Sequence, residues 1–230
     1  MKYHSVGFIA FKENSQRVPR KNFRELGGMK LYERIVETAR KSNLDIIFIT
    51  TDSKEAIEEI NSKGDKKVRI LDQPPEYYGV KSTGDNMLLK SAEKIESDIY
   101  IQLFATAPFL RVETINKAID ILEKRQEYDS VFTVNKRHDW AWYDGNPITY
   151  TPGNLSRSQD AIPLIIETTG LYAIKNQPLM NLKRRVGDKP YLLEIDEIEG
   201  IDIDVELDFL MAKLIIENIE NIEKLTRIKY

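Results

Sequence analysis

A short apolar run followed by an amphipathic helical stretch recurs from Val6 to Val134, and this alternation restricts the chain to one class of fold. Val6 to Phe11 reads as a buried strand, after which Leu31, Ile35, Val36 and Ala39 fall on one helical face. Ile46 to Thr50 is the next strand; Ser53 caps a helix carrying Ala56, Ile57 and Ile60, closed by Gly64, and Val68 to Leu71 is a third strand. Thr83 or Asp85 opens a helix carrying Leu88, Ala92 and Ile95, which leads into Ile99 to Phe104. Ile115, Ala118, Ile119 and Leu122 mark a further helix before Ser130 to Val134. Strand-helix units in succession predict an α/β fold, a mostly parallel sheet covered on both faces and joined by right-handed crossovers.

The second half breaks this rhythm. From Asn135 to Pro163 the chain is polar, with Gly145, Pro147, Pro152 and Gly153 as turn formers among Trp140, Trp142, Tyr143 and Tyr150. This reads as an inserted arm, about residues 135–165. Ile165 to Ile174 and Tyr191 to Ile195 then read as strands, and Val205 to Ile216 as a closing helix. Without an internal repeat or a clear linker, residues 1–230 are taken as a single domain carrying the arm. His138, Trp140 and Trp142 could line a pocket or form a lid, but aromatics on an arm favour a dimer contact. Lys136 and Arg137 are expected to lean over the site from the arm.

Composition narrows the function. Thirty-four basic against 37 acidic residues give a net charge of −3, so nothing global points to nucleic acid or to a membrane surface. The chain has no cysteine and only His4 and His138, which excludes disulfides, a cysteine nucleophile and a multi-histidine metal site. No apolar run is long enough to cross a bilayer, and no leader precedes the first strand, so a soluble, cytoplasmic protein is expected. The first strand also lacks the G-x-G-x-x-G turn of a dinucleotide dehydrogenase.

Two segments carry chemistry. The elbow Lys12 to Asn22 follows the first strand and holds Lys12, Arg17, Arg20 and Lys21. Cations and backbone N–H groups at the carboxyl end of a first strand make a seat for a polyphosphate; a solvated basic loop is the other reading. Ile201-Asp202-Ile203-Asp204 is the second segment. In a strand, Asp202 and Asp204 project together while the isoleucines anchor the opposite face. Such a carboxylate pair suits Mg2+ bridging substrate phosphates; an amphipathic edge strand is the other reading.

Taken in order, these segments resemble the acylneuraminate cytidylyltransferases and their relatives that activate other eight- or nine-carbon acidic sugars. Ile9 to Asn22 follows the family's I-P-A-R-x-G-S-x-x-V-P-x-K-N at equal spacing. Gly27-Gly28, Thr51-Asp52, Pro75-Glu76 and Thr106-Ala107-Pro108, for the family's T-S-P, come next in order. Arg157, Gln159 and Asp160 are similar to R-x-Q-D, Gly170 and Tyr172 to N-G-x-Y, and Ile201 to Asp208 to I-D-I-D-T-x-x-D.

The resemblance implies a Rossmann-like three-layer nucleotidyltransferase fold and a CTP-dependent reaction: an acidic 2-keto sugar attacks the α-phosphorus, pyrophosphate leaves and a CMP-sugar forms. It implies that Lys12, Ser15, Arg17, Lys21 and Asn22 hold the nucleotide, with Ser82 and Thr83 near the base. Lys21, Arg17 and Asp204 are the implied catalytic set, and Asp202 and Asp204 the ligands of Mg2+. Gln102, Phe104, Thr106, Arg157, Gln159 and Thr169 are the implied sugar contacts, in a homodimer formed through the arm. Departures accompany the matches. Lys12 replaces an arginine, Glu13 and Asn14 stand where glycines let backbone approach phosphate, and Glu13 repels a polyphosphate unless turned away. Phe104 occupies the place of a sugar-binding glutamine and Thr169 that of an asparagine, which points to a sugar other than standard sialic acid. Two alternatives stand beside this reading: another sugar or polyol-phosphate nucleotidyltransferase or a glycosyltransferase of related fold, and a non-catalytic nucleotide-binding homologue.

Overall fold

A computed structural model describes residues 2–74, 77, 82–154, 157–226 and 228, so Pro75 and Glu76 of the motif series lie outside the described residues. In chain order it contains β1 (Tyr3–Phe11), a 3-10 turn (Lys21–Phe23), β2 (Glu25–Leu26), β3 (Met29–Lys30), α1 (Leu31–Lys41) and β4 (Ile46–Thr51). There follow α2 (Lys54–Ser62), β5 (Val68–Ile70), α3 (Gly84–Ala92), β6 (Ser97–Phe104), α4 (Val112–Lys124) and β7 (Ser130–Arg137). The chain continues with β8 (Trp142–Tyr143), β9 (Asn146–Pro147), β10 (Leu164–Lys175), α5 (Asn176–Leu182), β11 (Pro190–Glu194), α6 (Glu206–Glu217) and α7 (Ile219–Thr226).

Seven strands form one sheet in the order β11-β7-β10-β6-β1-β4-β5. β1 is parallel to β4 and β6, β4 to β5, and β11 to β7. β10 runs antiparallel to both β6 and β7. The expected mostly parallel α/β sheet is therefore present with one reversed strand. The reversal follows from the arm: the chain leaves β7, folds back and returns beside it, with no crossover helix to carry it to the other end of the sheet.

Helices cover both faces. Tyr32, Ile35 and Ala39 of α1, Ala56 and Ile60 of α2, and Ile115, Ala118 and Leu122 of α4 pack with Ile9, Ile49, Ile101 and Leu171 in one apolar layer. Leu88 and Ala92 of α3 and Leu179 of α5 pack with Phe8, Phe48 and Tyr100 in the other. Local signals set the helix starts. The Ser53 hydroxyl accepts from the Ala56 N–H at 3.4 Å. Thr83, rather than Asp85, caps α3, accepting from the Asn86 N–H at 3.2 Å. Inside the arm, Asp144 and Gly145 both have positive φ, 49° and 73°, which is the turn an Asp-Gly pair makes between the short antiparallel strands β8 and β9.

One expected element is corrected. Ile201 to Asp204 is not a strand and joins no sheet; it lies at the carboxyl ends of β1 and β6, where the Lys21 ammonium donates to the Ile203 carbonyl. Its tie to that region is a hydrogen bond from the Ile203 N–H to the Thr106 carbonyl, 2.8 Å. The alternation survives: Ile203 is fully buried with Leu26, Leu31, Phe109 and Phe209, and Ile201 packs against the same cluster. Beyond the expected closing helix, α7 adds two further turns. No helix among the described residues is long and apolar enough to cross a membrane.

This topology places the site. From β1 the chain moves outward through β4 to β5 and then returns to the other side of β1 as β6. The order therefore reverses between β1 and β6, and crevices at such reversals are where open α/β sheets bind ligands.

Candidate functional site

The elbow leaves the carboxyl end of β1 and forms one side of a cavity of about 460 Å³. Lys12, Ser15, Arg17, Lys21 and Asn22 line that side; Ser82, Phe104 and Thr106 face them. Volume alone does not single it out, since a hollow of about 520 Å³ near Arg34 and Arg111 is slightly larger, but that one contains no elbow residue. Position at the strand reversal and the concentration of cations do.

The elbow is held by one apolar anchor and one kink. Val18 is fully buried, and Arg20 adopts a left-handed backbone, φ 50°, which turns the chain into the 3-10 helix. Lys21 is carried inward and Arg20 outward, over the Phe23 ring and onto Glu55 at 2.6 Å. The Asn22 amide donates to the Lys12 carbonyl at 3.0 Å and closes the loop.

Lys21 is only 7% exposed. Its ammonium donates to the Ile203 carbonyl and lies 3.8 Å from Asp204 Oδ1. Burial lowers its pKa; Asp204 and Asp202 oppose that shift, and Arg17 adds to it. Arg17 Nη2 donates to the same Asp204 oxygen at 2.6 Å. Residues 187 apart in sequence thus meet because the 201–204 segment lies against the elbow. Asp208 accepts from the backbone N–H groups of Asp204 and Val205, both at 2.8 Å, and fixes the turn into α6.

Glu13 is turned away from the cavity. Its backbone N–H donates to Asp52 Oδ1 at 2.6 Å and its carboxylate lies 3.6 Å from Arg20, so its charge is drawn to the outer side of the elbow.

Several buried oxygens have no hydrogen-bond partner among the described residues: Asn22 Oδ1, Ser82 Oγ, Thr169 Oγ1 and Asp202 Oδ1. Buried polar atoms are normally satisfied; of these four, Asn22 and Ser82 belong to the cavity lining, where a ligand can supply the partner. Asp202 Oδ1 also bears on a divalent cation. An unpartnered carboxylate oxygen is a donor of the kind Mg2+ takes, with water and phosphate oxygens filling the rest of its shell, whereas Asp204 Oδ1 is engaged by Arg17 and would exchange that partner to join it.

The other expected site residues divide. Gln102 is buried, donating to the Gly84 carbonyl at 3.1 Å and accepting from Arg185 Nη1 at 3.3 Å. Phe104 packs edge-on against Tyr172. Thr83 has its hydroxyl engaged in capping α3. Arg157 and Gln159 are exposed on the arm and do not reach the cavity of their own chain; Arg157 pairs with Asp160 at 2.8 Å. His138 bonds within the arm, to the Ala161 carbonyl at 3.2 Å. Arg185 was not anticipated from sequence, since a Lys-Arg-Arg run before a strand gives no sign that its last residue folds inward.

A mostly parallel sheet flanked by helices, with a cationic elbow at its strand reversal, is an α/β nucleotidyltransferase fold. Residues 9–225 match the family model described as "Cytidylyltransferase", and the chain belongs to that family. It is similar to N-acylneuraminate cytidylyltransferase A of Danio rerio, 27% identical over 220 residues that cover 91% of this chain and 50% of the relative. It is also 26% identical to post-translational flagellin modification protein B of Campylobacter coli, covering 91% of this chain and 93% of that one. The chain spans about half the length of the Danio rerio relatives it matches. The fold is shared with CMP:2-keto-3-deoxy-manno-octonic acid synthetase complexed with CTP, TM-score 0.67 at 16% identity, covering 94% of this chain and 99% of that one. It is shared equally with 4-diphosphocytidyl-2C-methyl-D-erythritol synthase from Anaerococcus prevotii, TM-score 0.65 at 16% identity, covering 94% and 96%.

Proposed function

We propose that this chain transfers the cytidylyl group of CTP to an acidic 2-keto sugar, giving a CMP-sugar and pyrophosphate. The observation that supports this best is the buried Lys21, held between the Ile203 carbonyl and Asp204 at a cavity lined by the elbow. The sugar's anomeric oxygen bonds to the α-phosphorus, the bond from that phosphorus to the bridging oxygen breaks, pyrophosphate leaves with the electron pair, and the hydroxyl proton passes to solvent. Transfer of this kind is driven by positioning and charge neutralisation. Lys12, Arg17 and Lys21 neutralise the triphosphate, while Ser15 and Asn22 hydrogen-bond to it. Ser82 and Thr83 lie on the side of the base, and hydrogen bonds to the base's edge, many from backbone, select cytosine. Asp202 and Asp204 would hold Mg2+, which would supply charge neutralisation at the phosphates.

Phe104, Thr106 and Thr169 face the sugar, with Gln102 buried behind them against Gly84 and Arg185. Phe104 and Thr169 make that side less polar than the glutamine and asparagine of the family motif, which favours a sugar other than standard sialic acid. Arg157 and Gln159 serve the sugar bound to a second copy, in a homodimer formed through the arm.

Pyrophosphate release with each nucleoside triphosphate, against N-acetylneuraminate, 3-deoxy-manno-octulosonate and other acidic keto sugars, tests the reading. CTP alone should support sugar-dependent release, lost in EDTA and restored by Mg2+. Equal use of ATP, or no turnover with any acid, overturns it. Sedimentation should give a dimer mass; a monomer at assay concentration would remove the shared-site part.

A further inference from the structure

Arg185 stands beside the cavity, next to Phe104 of its wall, and its neighbours fix its plane. Its guanidinium lies over the Tyr172 ring, 3.6 Å from the centroid, and 5.8 Å from that of Phe104, a residue of the cavity wall. Nη1 donates to Gln102 Oε1 at 3.3 Å, and the backbone N–H donates to Asp85 Oδ1 at 2.8 Å. A Cβ at Gly84 would overlap Nη1, so the absence of a side chain there makes room for the guanidinium. The nearest full negative charge is Asp85, 3.9 Å from Nε, and among the described residues Nη2 has no acceptor. An arginine stacked and oriented in this way presents a planar fork that matches a carboxylate, at little further cost in side-chain entropy.

Topology says which anion it meets. The sheet order β10-β6-β1 puts the elbow over the end of β1 and Arg185 over β10, with Phe104 of β6 between them. Two strand spacings amount to about 10 Å. The triphosphate already has the elbow's cations, so the anion on the β10 side belongs to the second substrate.

We propose that Arg185 binds the carboxylate of the acidic sugar and sets the preference for acids over neutral sugars, with Tyr172, Gln102 and Gly84 as its positioning residues. The inference rests on the cytidylyl-transfer reading.

The test compares N-acetylneuraminate or 3-deoxy-manno-octulosonate, whichever the wild type turns over faster, with the corresponding 1-carboxamide. Arg185→Ala should raise KM for the acid roughly 10- to 150-fold, the worth of a hydrogen bond to a charged group, while KM for CTP changes less than about twofold. The acid-over-carboxamide ratio of kcat/KM should collapse toward one. Arg185→Lys should recover part of it, and Arg185→Gln keeps the stem should the alanine variant fail to fold by circular dichroism. Gly84→Ala, which leaves the charge but displaces the guanidinium, should raise the same KM. If Arg185→Ala and Arg185→Gln both keep the wild-type preference for acid over carboxamide, the inference is overturned while cytidylyl transfer stands. If the wild type turns over no acid at all, the functional reading fails and this one with it.

Discussion

Lys21 carries a positive charge into a place where burial disfavours it, and its pKa is accordingly lowered from that of a free lysine. In the free protein the ammonium therefore loses its proton at a lower pH than an exposed lysine does, and with it the charge that holds the triphosphate. kcat/KM for CTP should fall as pH rises through that lowered pKa, measured from about pH 7 to 10. Lys21→Arg should remove this limb because guanidinium stays protonated, and Lys21→Ala should raise KM for CTP at every pH. The sign for stability is separate: a lysine with a depressed folded pKa binds fewer protons folded than unfolded, so its contribution rises with pH across the window between the two values. Much of this corner was legible in sequence, because Lys12, Ser15, Arg17, Lys21 and Asn22 share one elbow at fixed spacing. The outward turn of Glu13 was not, since it depends on Asp52 and Arg20. Nor was Arg185, whose partners Asp85, Gln102 and Tyr172 come from three separate elements.

The elements follow their apolar runs and caps closely, with exceptions where chain path rather than periodicity decides. A run of alternating Ile and Asp has the pattern of a strand, but a strand also needs a free edge, and Ile201 to Asp204 lies at the carboxyl ends of β1 and β6 instead. The reversed direction of β10 likewise depends on how the arm returns. One tie between elements has a pH signature. His4 on β1 lies 2.6 Å from Glu123 of α4 and 3.5 Å from Asp98 of β6, and the hydrogen bond to Glu123, followed by that to Asp98, raises its pKa. A raised folded pKa gives stability that is full below the unfolded value of about 6.5 and is lost as pH rises through the folded one. Because the ring is half exposed, solvent screening holds the effect to well under about 1 kcal/mol. Urea unfolding near pH 5.5 and 8.5 should show His4→Gln losing this difference; an unchanged difference would assign it to other groups.

At the scale of the molecule, the carboxyl-terminal third completes a site that the amino-terminal third begins. Ile203 anchors that closure, fully buried among Leu26, Leu31, Phe109, Phe209 and Ala212. Ile203→Ala should cost about 2–5 kcal/mol in urea unfolding, as buried large-to-small changes do. It should also raise the Mg2+ concentration needed for half-maximal pyrophosphate release, since Asp202 and Asp204 flank the anchor. A stability loss with an unmoved Mg2+ requirement would separate the cluster from the site.

The class of fold and the cationic elbow are written in local spacing: apolar periodicity builds strands and helices, and a loop keeps its charges together wherever it lies. Which distant groups meet depends instead on how the whole chain folds. The contacts of Lys21 with Asp204 and of Arg185 with Gln102 and Tyr172 arise from strand order and from a segment lying at the sheet ends, and neither leaves a periodic trace in the chain.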